Sequence, residues 1–170
     1  MIQTYFGDGK GKTTASIGAA IRCAGCGNRV LFVQFLKNND SSEIRTLETI
    51  KDIDILCSKE SYALFDNLNK ERTPLLSKAY NDLLFTDVKS KEGSYQMIIL
   101  DEILDALSYG YIAEDDLATL LLSLKDHTEI ILTGHILTEK IARLSDYISE
   151  IKALRHPYET GALPRKGIEF

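Results

Sequence analysis

The chain has 170 residues, of which 44% are hydrophobic and 26% are charged, and this is typical of one globular domain and argues against extended disorder. Its 20 basic and 25 acidic residues give a formal net charge of −5, which argues against a nucleic-acid-binding surface. The sequence has neither an apolar run long enough for a membrane span nor a basic and apolar signal segment at its start, so we expect a cytoplasmic protein without membrane or nucleic-acid partners.

The first third of the sequence predicts alternating strands and helices. The apolar run at 2–6 predicts a strand that ends at a glycine-rich loop, and apolar residues at helical spacing predict a helix over 14–25. The near-continuous apolar run at 30–36 is typical of a strand buried on both faces. A serine-capped helix over 41–50 and a short strand over 53–57 follow.

The rest of the sequence continues this alternation after an irregular stretch at 59–73. Pro74 suits the first turn of a helix, and an apolar stripe predicts that this helix extends to Leu84. The run "MIILDE" predicts a buried strand at 97–102, and acidic residues at the start of 114–125 favour a helix there. The last predicted elements are a strand, a helix and a strand at 129–134, 137–146 and 147–156.

The cysteines are Cys23, Cys26 and Cys57, and an odd count without an export signal argues against a disulfide framework. Cys23 and Cys26 lie three residues apart in a predicted helix, so we expect both to be small core residues on one face. A structural zinc ion needs about four ligands, and the sequence has no second cysteine pair.

This order of elements predicts an α/β fold, a single domain over 1–170 with a mostly parallel sheet and helices on both faces. In such sheets, ligands bind at the carboxyl ends of the strands. The stretches "GDGKGKTT" and "LDE" both fall at such ends. We therefore expect a nucleotide-binding site at this edge of the sheet.

The stretch "FGDGKGKTT" is one residue shorter than the phosphate-binding pattern G-x-x-x-x-G-K-[ST]. Gly7, Gly9 and Gly11 let the backbone turn tightly and direct its N–H groups inward, which makes an anion-binding nest with the N-terminus of the next helix. Lys12 adds a charge for the outer phosphates, and Thr13 offers a hydroxyl to Mg²⁺. The loop therefore predicts phosphate binding without specifying a reaction.

The predicted strand "MIILDE" places Asp101 and Glu102 beside this loop, where one carboxylate would hold Mg²⁺ directly or through water. The two motifs together predict binding of a magnesium–nucleoside triphosphate. They leave more than one function open. One alternative is a small-molecule kinase in which Glu102 acts as the base, and another is a nucleotide-dependent switch whose partner recognises the bound state.

Five segments of the sequence carry a resemblance to a known family. They are "GDGKGKTTASIGAAIRCAGCG", "VQFLK", "IILDEI", "LTGH" and the tail "ISEIKALRHPYETGALPRKGIEF". Together they are similar to the P-loop corrinoid adenosyltransferases of the ATP:cob(I)alamin type, over the whole chain. The resemblance implies transfer of the 5′-adenosyl group of ATP to the Co(I) of a corrinoid with release of triphosphate, in adenosylcobalamin synthesis or salvage. It also implies a single-domain P-loop (RecA-like) fold over 1–170. The short loop is the family's usual form by this resemblance, and the nucleotide runs through it in reverse.

The resemblance also implies which residues carry the function. The implied nucleotide-binding residues are Gly7, Asp8, Gly9, Lys10, Gly11, Lys12, Thr13, Thr14, Arg22 and His135. The implied catalytic residues are Lys12, Thr13 and Glu102, and the implied Mg²⁺ ligands are Thr13 and Glu102 with Asp101 nearby. Lys12 would stabilise the charge of the leaving triphosphate.

Two positions depart from the pattern of the family. The family usually has T-G-R where this chain has "TGH" ending at His135, so an imidazole takes the place of a guanidinium group. The best-known members have a Phe/Trp pair that displaces the lower ligand of cobalt, whereas this chain has no tryptophan. Tyr62 and Phe65 are the nearest aromatic candidates for a contact with the corrinoid.

The tail at 157–170 is expected to lie near the active site. Gly161 and Pro164 would bend it back over the strand ends, so that Arg165 or Lys166 faces the triphosphate or closes the corrinoid site. We therefore count Arg165 among the candidate corrinoid-binding residues.

The resemblance implies partners as well. Mg²⁺ is the implied cofactor, and ATP and a corrinoid (cobalamin, cobinamide or cobyrinic acid diamide) are the implied substrates. The family also implies a homodimer and an external reductant, such as a flavodoxin or reduced flavin, that brings the cobalt to Co(I).

Overall fold

The computed structural model describes residues 1–37, 41–57, 88, 93–155, 157, 161, 163, 165, 167 and 168. These residues form six strands and five helices. The strands are β1 (Ile2–Phe6), β2 (Val30–Gln34), β3 (Ile53–Cys57), β4 (Met97–Asp101), β5 (Glu129–Gly134) and β6 (Tyr147–Glu150). The helices are α1 (Lys12–Gly25), α2 (Ser42–Leu47), α3 (Ile103–Ser108), α4 (Glu114–Leu124) and α5 (Glu139–Leu144).

The six strands form one sheet in the order β3-β2-β4-β5-β1-β6, and every neighbouring pair is parallel. The register places Gln34 beside Asp101, and Tyr5 beside Thr133. Because all strands run in one direction, their carboxyl ends meet at one edge, which carries both predicted motifs.

Helices cover both faces of this sheet. On one face, Phe32 and Ile99 pack with α1 residues such as Ala20. On the other face, alternate strand residues such as Leu100 pack with side chains of α3 and α4, among them Leu117. The predicted α/β class and its layered, parallel architecture are confirmed, and no helix in the described part of the chain is long and apolar enough to cross a bilayer.

Several predicted boundaries differ from the structure for local reasons. The first helix begins at Lys12 rather than at residue 14, because Gly11 takes a φ of 120° and turns the loop directly into the helix. The second strand ends at Gln34 rather than at residue 36, because Leu36 has a φ of 58° and bends the chain. Helix α3 was not predicted; it begins directly after Glu102 and has only 6 residues.

The last predicted strand, at 147–156, ends early. It stops at Glu150, because Ile151 next bonds to the glycine loop instead of continuing in the sheet. The prediction that both helical cysteines are core residues is wrong for Cys26, which is exposed because the helix ends at Gly25. The predicted helix from Pro74 and the irregular stretch before it lie outside the described residues.

Candidate active site

A cavity of about 550 Å³ lies at the carboxyl edge of the sheet. Its described lining comes from the glycine loop, helices α1 and α2, the segments that follow β2, β4 and β5, and the tail. The lining residues are Gly9, Lys10, Gly11, Lys12, Thr13, Thr14, Ile17, Lys37, Ser42, Glu43, Glu102, His135, Gly167 and Ile168. The structure therefore brings most of the predicted nucleotide-binding residues together with Glu102.

The chain segment that follows β6 holds the glycine loop in place. The Gly9 N–H donates to the Ile151 carbonyl at 2.8 Å. In return, the Ala153 N–H donates to Asp8 Oδ1 at 3.0 Å, and this hydrogen bond is the main reason that the pKa of Asp8 is lowered. Asp8 therefore anchors residues 151–155, which lie before the tail and are called the tail segment below, a role that its place in the motif did not indicate.

This contact explains why the loop needs glycine at two of its positions. A Cβ on Gly7 would lie 2.5 Å from the Ile151 carbonyl oxygen, and Gly7 also has a φ of 113°, where side chains are strained. A Cβ on Gly9 would lie 2.8 Å from the same oxygen. The glycines thus allow the tail segment to approach the loop as well as allowing the loop to turn.

The Lys12 ammonium group lies over the loop. Its Nζ donates to the carbonyl of Gly7 at 2.7 Å and to that of Gly9 at 3.0 Å. Partial burial lowers the pKa of Lys12, and the nearby carboxylates, Glu102 first among them, oppose this effect. The charge that was predicted for the phosphates is therefore held at the loop by backbone oxygens.

Asp101 is fully buried at the end of β4 and links two strands to α1. Its Oδ1 accepts from Thr13 Oγ1 at 2.9 Å and from Thr133 Oγ1 at 2.8 Å. Its Oδ2 has no hydrogen-bond donor among the described residues. The side-chain amide oxygen and nitrogen of Gln34, the buried neighbour in the register, likewise have no hydrogen-bond partner there. Unbonded buried polar atoms are unusual, and a bound ion is one of the groups that satisfy them.

Glu102 caps the start of α3 in a left-handed conformation, with a φ of 64°. Its backbone N–H donates to Thr133 Oγ1 at 2.8 Å, and its Oε1 lies 3.3 Å from Lys37 Nζ. Burial raises the pKa of Glu102, and Lys37 acts against that rise. Burial alone would lower the pKa of Lys37, but attraction to Asp101 and Glu102 outweighs it, so the pKa of Lys37 is raised.

The oxygen atoms of Thr13, Asp101 and Glu102 are of the type that Mg²⁺ prefers. The buried Asp101 Oδ2 without a donor fits a cation at this position. In the described part of the chain, no three His, Cys, Asp or Glu side chains converge on one point, and this agrees with Mg²⁺ that takes further ligands from phosphates and water. These residues fit the implied metal.

His135 forms a dyad with Asp105 of α3 at the edge of the cavity. Its Nδ1 lies 3.0 Å from Asp105 Oδ2, and its backbone N–H donates to the same carboxylate at 3.2 Å. The side chain is 55% exposed. The hydrogen bond with Asp105 raises the pKa of His135 despite partial burial, so the imidazole holds its proton more strongly than usual.

Other predicted site residues lie elsewhere or cannot be placed. Arg22 is exposed in the last turn of α1 and is not among the described lining residues. Arg165 is exposed, and its carbonyl accepts the Ile168 N–H at 3.1 Å near the cavity. Tyr62 and Phe65 lie outside the described residues.

The sequence interpretation missed three contributors to this site. Lys37 closes the buried run "VLFVQFLK", and a charge at the end of a central strand is the sequence signal that points to it. Asp105 lies in the first turn of α3, three residues after Glu102, in a helix that the sequence did not predict. Ile151 acts through its backbone carbonyl, for which the sequence carries no signal.

Comparison with known proteins gives a consistent result over the whole chain. The profile of the family described as ATP:corrinoid adenosyltransferase BtuR/CobO/CobP matches residues 1–170. The chain is 26% identical to the corrinoid adenosyltransferase of Escherichia coli K12 and to the corrinoid adenosyltransferase CobA of Salmonella typhimurium, covering 100% of this chain and 85% of each relative. It is 28% identical to a Sinorhizobium corrinoid adenosyltransferase, over 96% of this chain and 77% of that protein. With the glycine loop and the acid pair at one cavity, the chain belongs to the ATP:corrinoid adenosyltransferase family and is an enzyme of that activity.

Proposed function

We propose that the cavity binds MgATP with the triphosphate against the glycine loop, and that the Co(I) of the corrinoid attacks C5′ of the ribose. A cobalt–carbon bond forms while the bond between C5′ and the α-phosphate oxygen breaks, and its electron pair leaves with the triphosphate. The observation that carries this proposal is the set of basic groups around one cavity, those of Lys10, Lys12, Lys37 and His135. Such groups stabilise a polyphosphate leaving group.

The protein then acts by positioning and electrostatics, because the nucleophile belongs to the corrinoid. The loop N–H groups and Lys12 would hold the triphosphate. The hydrogen bonds of the loop with Ile151 and Ala153 fix the shape of the loop. Thr13, Glu102 and Asp101 would hold Mg²⁺, which when bound offsets negative charge on the phosphate oxygens. No nucleophilic side chain is required.

We propose that the tail at 157–170 covers the substrates. Gly167 and Ile168 line the cavity, which supports this position. Tyr62, Phe65 and Arg165 remain the proposed corrinoid contacts, and Arg22 remains a proposed contact of the nucleotide.

We also propose a homodimer and an external flavodoxin or reduced flavin as the electron source, as the family resemblance implies. Strand β6 supports the dimer, because it lies at the edge of the sheet and exposes all its residues, including Tyr147 and Ile148. An uncovered strand edge readily pairs with another chain. Light scattering tests this proposal, and a monomer at working concentration would contradict it.

A single incubation tests the reaction. The protein is mixed with ATP, Mg²⁺ and a chemically reduced corrinoid, and the cobalt–carbon spectrum and phosphate products are recorded. We expect an alkyl-cobalt spectrum with tripolyphosphate in equal amount and no orthophosphate. ADP as the main product would instead support the kinase alternative, and testing cobalamin, cobinamide and cobyrinic acid diamide in parallel identifies the preferred corrinoid.

A further inference from the structure

Two non-glycine residues in the described part of the chain have a left-handed backbone, Leu36 with a φ of 58° and Glu102 with a φ of 64°. This conformation is costly for residues with a Cβ and concentrates at functional sites. Leu36 follows β2, and Glu102 follows β4, its neighbour in the sheet. Both bends therefore lie at the carboxyl ends of two adjacent strands. They bring the side chains of Lys37 and Glu102 together.

The Lys37 ammonium group is the cation that the acid pair contacts. Its Nζ lies 3.3 Å from Glu102 Oε1 and 3.6 Å from Asp101 Oδ2, the oxygen that has no hydrogen-bond donor among the described residues. Asp101 is fully buried, and the Lys37 side chain is only 24% exposed. Two carboxylates this close and this buried need a cation beside them, and the fold supplies one from its own chain.

We propose that Lys37 is a positioning residue, the resident counter-ion of Asp101 and Glu102, which a divalent cation displaces when nucleotide binds and which then contacts the polyphosphate. The inference rests on the metal site of the proposed function. A divalent ion and an ammonium group at the same carboxylates repel each other at these distances. Lys37 lines the same cavity as Lys12 and Thr13, where phosphate oxygens would arrive, and Glu43 of the same lining adds to the negative charge around it.

This arrangement gives Lys37 a coupling role. The acid pair binds a metal ion alone weakly, because the ion must first displace Lys37 without compensation. The pair binds a metal–nucleotide complex strongly, because the displaced ammonium group gains a new partner. Metal binding and nucleotide binding thus become mutually dependent.

Manganese binding measures this coupling without any turnover. The concentration of free Mn²⁺ is measured by electron paramagnetic resonance in the presence of the wild type or of Lys37→Met, which keeps most of the side-chain length. If Lys37→Met fails to fold, Lys37→Gln is used instead. Without nucleotide, we expect the variant to bind Mn²⁺ about tenfold more tightly. With ATP, calorimetry should show the opposite order, the variant binding MgATP more weakly than the wild type.

Two further variants separate this role from general charge effects. Lys37→Arg keeps the cation, so Mn²⁺ alone should still bind weakly. Lys125→Gln removes the same charge from an exposed position directly after α4, on the side of the sheet away from the cavity. This variant should change neither measurement.

The outcomes distinguish this inference from the proposed metal site. Unchanged or weaker Mn²⁺ binding in Lys37→Met overturns the counter-ion role. Tighter Mn²⁺ binding together with unchanged MgATP binding overturns the transfer of Lys37 to the phosphates. A wild type that binds no Mn²⁺ even with ATP overturns the metal site itself, and the inference falls with it.

Discussion

The two halves of the active site are held in place by different forces. The glycine loop is held by backbone: its N–H groups and carbonyls bond to Ile151 and Lys12, and Gly9 leaves room for the tail segment. The acid pair is held by side-chain charge, with Asp101 and Glu102 facing Lys37. We infer that the loop half tolerates no change of shape, whereas the acid half tolerates changes of shape but not of charge.

The largest expected effect tests the charge at the loop. Lys12→Ala removes the ammonium group that would stabilise the leaving triphosphate, and we expect adenosyl transfer to fall by about a hundredfold or more, which is roughly 3 kcal/mol of transition-state stabilisation. The measurement is the initial rate of alkyl-cobalt formation with chemically reduced corrinoid.

Lys12→Met is the companion variant, because it keeps the side-chain stem over the loop. Both variants should retain the circular dichroism spectrum of the wild type. A rate near that of the wild type in either one would remove the loop lysine from the mechanism.

The next prediction separates the two carboxylates. Glu102→Gln should raise the Mg²⁺ concentration needed for half-maximal rate by about tenfold or more, with a smaller effect on ATP binding and with rescue at high Mg²⁺. Asp101→Asn should lower thermal stability instead, because an uncharged amide group in place of the buried Oδ2 would face Lys37 Nζ, which lies 3.6 Å away, and would leave that ammonium group without its balancing charge. Mg²⁺ rescue of Asp101→Asn but not of Glu102→Gln would show that the two roles are reversed.

A matched glycine pair tests the shape requirement of the loop. Gly9→Ala places a Cβ 2.8 Å from the Ile151 carbonyl, whereas a Cβ on Gly18 of α1 meets no atom within 4 Å. Gly9→Ala should destabilise the protein by about 1–3 kcal/mol and displace the tail segment. Gly18→Ala should stabilise it by about 0.5–1 kcal/mol, because alanine favours helix. Thermal unfolding measures both, and equal melting temperatures would show that the loop and tail are not tightly packed.

The fold and the site differ in how far they follow from the sequence. The strands and the glycine loop followed from local patterns, since apolar runs and glycine spacing express the same short-range physics as the fold. Helix α3 did not follow, because only Glu102 separates it from β4, so no loop signal in the sequence marks where the strand ends and the helix begins. The loop–tail contact joins Asp8 and Ala153, 145 positions apart, and no local pattern encodes such a contact.

The acid half was only partly predicted for a different reason. Asp101 and Glu102 were visible as charges at the end of an apolar strand. The position of Lys37 depends on the left-handed bend at Leu36, and a leucine gives no sign of that conformation. The partner of His135 was likewise hidden, because Asp105 lies in the short helix that the sequence did not reveal.

The smallest expected effect concerns His135, which belongs to neither half but faces both. The hydrogen bond with Asp105 raises the pKa of His135 above its ordinary 6.5; Glu102 adds to the rise, while partial burial and Lys12 oppose it. A raised folded-state pKa means that this contact stabilises the fold fully below the ordinary value and loses its contribution as pH rises through the folded value. We therefore expect the melting temperatures of the wild type and His135→Asn to differ most near about pH 6 and to converge by about pH 9. The difference should be small, because the side chain is 55% exposed.

If the imidazolium also faces the triphosphate, the transfer rate of the wild type will decline between about pH 6 and about pH 9. The transfer rate of His135→Arg, which keeps its charge, will stay level. Parallel pH profiles for these two proteins would show that His135 stabilises the fold without contributing charge to the reaction.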